Sequence, residues 1–275
     1  MITEFITSKN NSTVKWAATL KDKKGRDASR AFIAEGEKLS FEALNYGLAA
    51  THIFISEKKK DEIIPKLSKF WENERYADTK ILILSEQAFS KISTENAPQG
   101  IITVIKYLDF FNKLDIIYKE EFLKNEEETI VFLDSVRDPS NLGAIIRSAL
   151  AFGVKHIILS SDCTDAYNPK CIRASMGGAF KIKLSYVKDA KGTVCELRRA
   201  GRRVLSAELT SNAMPLEKAQ LCRKDVIVIG NEGHGVSGEV SASCDSSIYI
   251  PISTATESLN ASVAAAIFMW EQSKD

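Results

Sequence analysis

Short apolar runs alternate with amphipathic segments along most of the chain, a pattern typical of layered α/β proteins. In the first part, strands are predicted at residues 31–34, 51–55, 81–84 and 100–105, and helices at 37–46 and 86–92. Gly47 suits the end of the first helix, because glycine readily adopts the left-handed conformation that follows a helix terminus. The pattern therefore predicts a small α/β domain near the N-terminus.

The second half of the chain continues this alternation. Strands are predicted at 130–134, 156–160, 181–186, 203–206, 226–230 and 248–250, and helices at 141–152, 190–200 and 259–270. The run Val226-Ile227-Val228-Ile229 is apolar throughout, which indicates a mostly parallel sheet covered on both faces. Between the two halves, residues 106–128 are charged and weakly patterned. We predict a domain at 1–105, a linker at 106–128 and a second domain at 129–275.

Composition and charge narrow the class of protein only moderately. Of 275 residues, 44% are hydrophobic, which supports packed cores and argues against disorder. The net charge of +1 argues weakly against nucleic acid, but residues 1–30 hold seven Lys or Arg against three acids. Residues 106–130 hold four Lys against seven acids. Both segments could equally be solvated surfaces, so charge permits RNA binding without establishing it.

The cysteines and the hydropathy pattern predict a cytoplasmic protein. Five cysteines are scattered, without a Cys-x-x-Cys pair or a histidine at ligand spacing, so we expect reduced thiols and no metal. Residues 1–10 lack the apolar run of a signal peptide, and no apolar stretch is long enough to span a bilayer. We therefore expect no membrane partner.

Three polar segments each follow or begin a predicted strand–turn–helix unit. They are Asp138-Pro139-Ser140-Asn141-Leu142-Gly143-Ala144-Ile145-Ile146-Arg147, Gly230-Asn231-Glu232-Gly233, and the stretch from Ile250 through Glu257-Ser258-Leu259-Asn260. Free N–H groups at helix N-termini and polar side chains at the carboxyl ends of strands suit a polar ligand. The alternatives are a capped helix with an exposed arginine, a mobile turn and a capped core helix.

Two familiar nucleotide motifs do not fit the glycine-rich segment. The order of its glycines differs from the dinucleotide fingerprint, and no suitable acid follows about 20 residues later. A phosphate-binding P-loop would also need a Gly-Lys-Ser/Thr sequence, which does not follow. A nucleotide-dependent oxidoreductase is therefore disfavoured.

In order and spacing, the three segments resemble the three motifs of the SpoU (TrmH-like) family of RNA ribose 2′-O-methyltransferases. The resemblance implies that the backbone at Gly230, Ile250 and Leu259 holds S-adenosylmethionine. It also implies a polar catalytic set of Asn141, Arg147, Glu232, Ser258 and Asn260. Ser135 and Ser140 stand where glycine is frequent in the family, a departure that removes no functional side chain.

The resemblance extends to the N-terminal block and to the assembly. Phe32-Ile33-Ala34-Glu35-Gly36-Glu37 and Gln99-Gly100-Ile101 resemble the small RNA-binding domain, similar to ribosomal proteins, of two-domain members that act on ribosomal RNA. Ribosomal RNA is therefore favoured over transfer RNA. The resemblance further implies a knotted C-terminal α/β domain of the SPOUT type and a homodimer.

Six basic residues are candidates for RNA contacts. Four come from the basic N-terminal segment and two from the segment between the first two motifs: Lys21, Lys23, Lys24, Arg26, Lys170 and Arg173. Phosphate oxygens are the usual partners of such side chains. Exposed charges without a ligand remain the alternative at each position.

Arg147 is the candidate for activating the ribose hydroxyl. A guanidinium stays protonated at neutral pH, so a charged Arg147 that stabilises the developing alkoxide is favoured over a free base. Glu232 could orient it, and no metal is needed. The remaining alternative is a non-catalytic RNA-binding or assembly factor on the same scaffold, which a cofactor-binding measurement would distinguish.

Overall fold

The computed structural model describes residues 2–70, 73–108 and 129–274. Contacts divide these residues into two units. The first contains the described residues up to Leu108 together with Asp165–Phe180, and the second contains residues 129–164 and 181–274. Residues 109–128 of the predicted linker lie outside the described residues, so the predicted domain boundaries stay predictions.

The first unit is built on a mixed five-stranded sheet. Its strands are β1 (Ile2–Ile6), β2 (Ala31–Glu35), β3 (Ala50–Ser56), β4 (Lys80–Leu84) and β5 (Ile101–Lys106). Its first helices are α1 (Ser12–Thr19), α2 (Lys23–Ser29), α3 (Glu37–Asn45), α4 (Lys60–Leu67) and α5 (Glu86–Ile92). The sheet order is β1-β4-β3-β5-β2, with β5 antiparallel to both neighbours. All elements predicted for this block are present.

The second unit contains a parallel seven-stranded sheet. Its strands are β6 (Ile130–Leu133), β7 (His156–Ser160), β8 (Lys183–Val187), β9 (Val204–Ala207), β10 (Met214–Pro215), β11 (Val226–Ile229) and β12 (Ser246–Tyr249). Its helices are α6 (Pro139–Ala151), α8 (Ala190–Arg199), α9 (Gly238–Ser241) and α10 (Ala261–Gln272). The order is β10-β12-β9-β11-β6-β7-β8, and every pairing is parallel.

The remaining helix, α7 (Pro169–Ala174), belongs to the first unit, although its segment follows β7 in sequence. The helix packs on β2. Just before it, the Tyr167 ring stacks on Tyr107 with centroids 4.0 Å apart and lies 4.8 Å from Phe32. This aromatic cluster gives the segment a buried anchor among residues that are distant in sequence.

Arg26 strengthens the same anchor. Its side chain is only 2% exposed, and its Nη2 lies 2.6 Å from Asp165 Oδ2. Nη1 donates to the carbonyl oxygens of Leu20 and Lys21 at 3.0 and 2.7 Å. Removing one partner of such a buried pair typically costs about 3–5 kcal/mol. Arg26 thus makes a structural ion pair inside the first unit.

The second sheet brings several polar loops to one edge. In a parallel sheet the carboxyl ends of the strands lie on the same side, where open α/β folds place their ligands. The central strands β6 and β11 are entirely buried. Their ends therefore form a rigid base for the loops that follow Leu133 and Ile229.

Candidate active site

A pocket of about 390 Å³ lies at this edge of the second sheet. Its walls come from the loops after β9, β11 and β12 and from the first turns of α10. The three predicted cofactor positions, Gly230, Ile250 and Leu259, all line it, as do Glu232 and Ser258. The structure therefore gathers five predicted site residues around one pocket, while their roles stay predictions.

The side-chain amide of Asn141, in the first turn of α6, connects two other segments beside this pocket. Its Nδ2 donates to Glu232 Oε1 at 2.9 Å, and its Oδ1 accepts a hydrogen bond from Asn260 Nδ2 at 3.0 Å. Glu232 Oε1 also lies 3.4 Å from the backbone nitrogen of Asp138. Three of the five predicted catalytic residues are thus directly connected, and each comes from a different motif.

The helix caps explain why these side chains are available. Asp138 caps α6 by accepting from the backbone nitrogens of Ser140 and Asn141 at 2.6 and 3.0 Å. This cap places the start of α6 before Ser140 and Asn141. With Pro139 at the first helical position, the helix begins two residues earlier than predicted. The Asn141 side chain is consequently free to bridge loops.

Asn260 combines capping with bridging. Its Oδ1 accepts from the backbone nitrogen of Ser262 at 2.9 Å, while its Nδ2 reaches Asn141. Because Asn260 is the cap, α10 begins at Ala261, two residues later than predicted. Ser258 therefore lies in the loop before the helix, where it is exposed and lines the pocket.

Gly230 is required by the close approach of the turn that follows it. A Cβ at this position would lie 2.1 Å from the carbonyl carbon of Gly235 and 2.2 Å from the nitrogen of Val236. Asn231 pairs with Gly235 through both backbone hydrogen bonds, at 2.8 and 2.9 Å. The turn is therefore folded tightly over the end of β11, which leaves the Gly230 backbone at the pocket wall.

Two residues outside the predicted site set hold this turn. The Asn231 side chain donates to the carbonyl oxygen of Ser135 at 2.8 Å and accepts from the backbone nitrogen of Gly233 at 2.8 Å. Asp134 is 3% exposed and accepts from the backbone nitrogen of Ser237 at 2.7 Å. The position of Asn231 in a turn, directly after Gly230, was the one available sequence signal.

Ser135 shows how the chain tolerates a departure from the family pattern. Its φ of 60° lies in the left-handed region that favours glycine. Its Oγ donates to Asp162 Oδ2 at 2.6 Å, and its backbone nitrogen donates to Ser160 Oγ at 2.8 Å. Burial alone would raise the pKa of Asp162, but hydrogen bonds from Ser135, Ser160 and Arg137 lower it. These bonds hold the backbone of Ser135 in place.

Arg147 stands apart from the connected side chains. It is an exposed residue of α6, and no hydrogen bond or ion pair joins it to any residue that the structure describes. It does not line the pocket. The neighbouring Ala144 and Ser148 instead line an apolar groove between α6 and α10. Its guanidinium is thus available to a ligand or to another chain, and its predicted role stays a prediction.

The predicted RNA contacts fall into two groups, all within the first unit. Lys23, Lys24 and Lys170 are exposed, and their ammonium groups bind no acceptor in the described part of the chain. The other three are engaged: Arg26 in its buried pair, Lys21 with the Ser93 carbonyl oxygen at 2.6 Å, and Arg173 with Glu95 and Thr94. Exposure therefore favours the first group as contacts.

The described residues contain no group of three or more His, Cys, Asp or Glu placed to hold a metal ion. None of their helices is both long and apolar enough to cross a bilayer. The five cysteines are all free thiols.

Comparison with known proteins identifies the family. Residues 128–270 match the SpoU rRNA methylase family, and residues 11–103 match an MRM3-like substrate-binding domain. The chain belongs to the SpoU rRNA methylase family. The predicted family and α/β fold class are confirmed, and membership supports the predicted RNA ribose 2′-O-methyltransferase activity with S-adenosylmethionine.

Relatives of this SpoU member match it over nearly its whole length. The 23S rRNA (guanosine(2553)-2′-O)-methyltransferase RlmP of Bacillus subtilis is 30% identical over 265 residues, which cover 96% of this chain and 97% of the relative. The AdoMet-bound rRNA methyltransferase from Sinorhizobium meliloti has a TM-score of 0.81 and 29% identity, covering 99% of this chain and 98% of the other. Both units are therefore shared with these relatives.

A substitution at Gly230 should damage the pocket more than one at a nearby glycine. In Gly230→Ala the new methyl group would overlap the Gly235–Val236 backbone, and overpacking of this kind typically costs about 1–3 kcal/mol. Gly238→Ala is the matched control, because no other atom lies within 4 Å of its Cβ position. Thermal unfolding and calorimetry with S-adenosylhomocysteine should show a lower Tm and lost binding only for Gly230→Ala. Equal behaviour of the two variants would contradict this account.

Proposed function

We propose that this chain transfers a methyl group from S-adenosylmethionine to a ribose 2′-hydroxyl of ribosomal RNA. The observation that carries the proposal is the connection of Asn141, Glu232 and Asn260 beside a pocket lined by Gly230, Ile250 and Leu259. Family membership supports the reaction class. The names of relatives that act on 23S rRNA support the substrate class.

The pocket fits the cofactor by size and by the character of its walls. Its volume of about 390 Å³ lies within the range of about 300–1,000 Å³ that is usual for small-molecule sites. Backbone groups around Gly230 and the loop at Ile250 can reach a nucleoside without intervening side chains. Its lining residues include three acids and no base, which suits a sulfonium cation.

When bound, S-adenosylmethionine supplies the electrophilic methyl group. The residues of the chain orient the acceptor and manage its charge. Asn141, Glu232 and Asn260 fix the loops around the pocket, so the acceptor meets a preorganised surface. The guanidinium of Arg147 stabilises the developing alkoxide and binds the adjacent phosphate, while the proton of the hydroxyl passes to solvent water. We place Glu232 in the role of holding Asn141, the partner to which it is bonded.

Arg147→Ala should lose methyl transfer and keep the fold. Removing one charge-stabilising contact typically lowers the rate by about 10²–10³, whereas the exposed side chain contributes little to folding. Arg147→Lys should recover little, because an ammonium lacks the planar fork of a guanidinium. Transfer of radiolabelled methyl to unmodified ribosomal RNA, measured in EDTA in a single turnover, tests both the activity and the variants.

The control is Arg199→Ala, which removes an exposed helical arginine of the same unit from a surface ion pair with Glu196. It should transfer methyl groups at the parent rate. No transfer by the parent to any ribosomal RNA would reject the proposed function. A near-normal rate in Arg147→Ala would reject only the role of that residue.

RNA selection is assigned to the first unit. Residues 11–103 match a substrate-binding domain, and the exposed Lys23, Lys24 and Lys170 lie in this unit. The proposal for ribosomal rather than transfer RNA rests on this domain and on the relatives that act on 23S rRNA. A cytoplasmic location stays a prediction.

A charge-reversal series should separate RNA binding from cofactor binding. The triple variant Lys23→Glu, Lys24→Glu, Lys170→Glu should bind ribosomal RNA at least about tenfold more weakly at 0.1 M salt, with a shallower salt dependence. The control is Lys188→Glu, Lys191→Glu, Lys218→Glu, which changes the net charge equally on exposed positions of the second unit. Both triples should bind S-adenosylhomocysteine like the parent. Equal RNA affinity of the two triples would contradict the assignment.

We also propose a homodimer that buries the groove between α6 and α10. This apolar groove of about 400 Å³ is lined by side chains that include Val263 and Trp270, which are 47% and 50% exposed. A second copy can cover these side chains, as the family resemblance implies. The knot implied by that resemblance also remains a proposal.

Light scattering should give twice the chain mass of 30.4 kDa at micromolar concentration. Val263→Asp should give a folded monomer, because a carboxylate would be buried in the interface. Tyr46→Asp is the control, since Tyr46 is 50% exposed in the first unit, outside this groove. A parent protein of single-chain mass would reject the dimer.

A further inference from the structure

Glu208 is a pocket residue that the sequence motifs assign no role. It follows β9 directly and lines the same pocket as Gly230, Ile250 and Leu259. In the sheet order, β9 lies on one side of β11 and β6 on the other. Glu208 thus comes from the strand opposite the one that leads to Asn141.

One oxygen of the Glu208 carboxylate is held by serine hydroxyls. Oε1 accepts from Ser206 Oγ at 2.7 Å, from Ser247 Oγ at 3.3 Å and from Ser241 Oγ. The Ser206 and Ser247 hydroxyls lie 3.0 Å apart. Such a cluster fixes the carboxylate in one orientation without neutralising its charge.

The other oxygen has no partner in the described part of the chain. Oε2 accepts no hydrogen bond there, and no Lys, Arg or His of the described residues forms an ion pair with Glu208. The pKa of the neighbouring Cys244 thiol is raised to about 12, mainly by burial and secondly by the negative charge of Glu208. A carboxylate oxygen without a partner, on a residue that is only partly exposed, gains most from a donor on a ligand.

We propose that Glu208 is a specificity-determining residue for the cofactor, whose nucleoside half donates an O–H or N–H hydrogen bond to Oε2. This inference rests on the proposed function. Transfer takes place beside Asn141 and Glu232, so the parts of the cofactor far from the methyl group reach the β9 side. Carboxylates commonly accept hydrogen bonds from ribose hydroxyls in nucleotide sites.

The wall of the pocket favours the nucleoside over the amino-acid tail at this position. The tail carries a carboxylate beside its ammonium group, and that carboxylate would meet Glu208, Glu232 and Glu257 without any basic lining residue to pair with. The ribose and the adenine are uncharged and carry donors. Glu208 therefore selects for donors on the nucleoside.

Calorimetry with Glu208→Gln tests the inference. The amide can keep its oxygen toward the serines, which points its NH₂ group at the ligand donor. We expect the Kd for S-adenosylhomocysteine and for 5′-methylthioadenosine to rise by the same factor, about 10- to 100-fold. Glu239→Gln, which neutralises an exposed acid of α9 outside the pocket lining, should change either Kd less than about twofold. Glu208→Asp serves as a second variant if Glu208→Gln unfolds.

The results separate the possible donors. Two analogues of methylthioadenosine each lack one candidate donor: one lacks a ribose hydroxyl, and the other lacks the 6-amino group of adenine. For the analogue that lacks the true donor, the Kd of Glu208→Gln should equal the Kd of the parent. An unchanged Kd in Glu208→Gln would overturn the inference. So would an affinity loss seen with S-adenosylhomocysteine but not with 5′-methylthioadenosine, or a ratio of variant Kd to parent Kd that is the same for all analogues. A parent that binds neither ligand would instead reject the proposed function.

Discussion

The arrangement of the site depends on one amide group. Asn141 offers a donor and an acceptor on a single rigid plane, and it uses both to connect Glu232 and Asn260. These residues follow β6, β11 and β12, so the amide joins three segments that are far apart in sequence. A carboxylate or an alkyl side chain at this position could not satisfy both partners. The parallel sheet makes the connection possible, because it places the three strand ends on one edge.

The pocket itself is formed largely by backbone constraints. The turn after Gly230 folds so tightly that any side chain at this glycine would meet its backbone. Asp134 and Asn231 hold that turn to the loop after β6. Where the chain departs from the family pattern, at Ser135, side-chain hydrogen bonds hold the left-handed backbone. A pocket built in this way can recognise a nucleoside by its shape, while Glu208 adds a directed acceptor.

The sequence predicted the buried strands well and the polar boundaries less well. The apolar run at Val226–Ile229 needed no tertiary information, since its pattern alone specifies a covered strand. Strand β12 begins earlier than predicted, because its first residues, Ser246 and Ser247, are polar and do not extend the apolar run. The start of α6 was misjudged because Ser140, Asn141 and Asp138 are all plausible caps, and only geometry selects Asp138.

The motifs identified Asn141, Glu232 and Asn260, but spacing could not reveal that they bond to one another. Arg26 illustrates the limit for charges: its burial depends on Asp165, a residue 139 positions away.

Exchanging the amide and the carboxylate across the Asn141–Glu232 hydrogen bond tests the central claim most directly. Asn141→Asp would place two carboxylates together, yet an acid in the first turn of α6 should not harm the helix. Adding Glu232→Gln restores the hydrogen bond in the reverse direction, because residue 232 then donates and residue 141 accepts. Calorimetric affinity for S-adenosylhomocysteine should fall at least about tenfold in Asn141→Asp and recover most of that loss in the double variant. Losses that simply add would contradict the account, because the two side chains would then act independently.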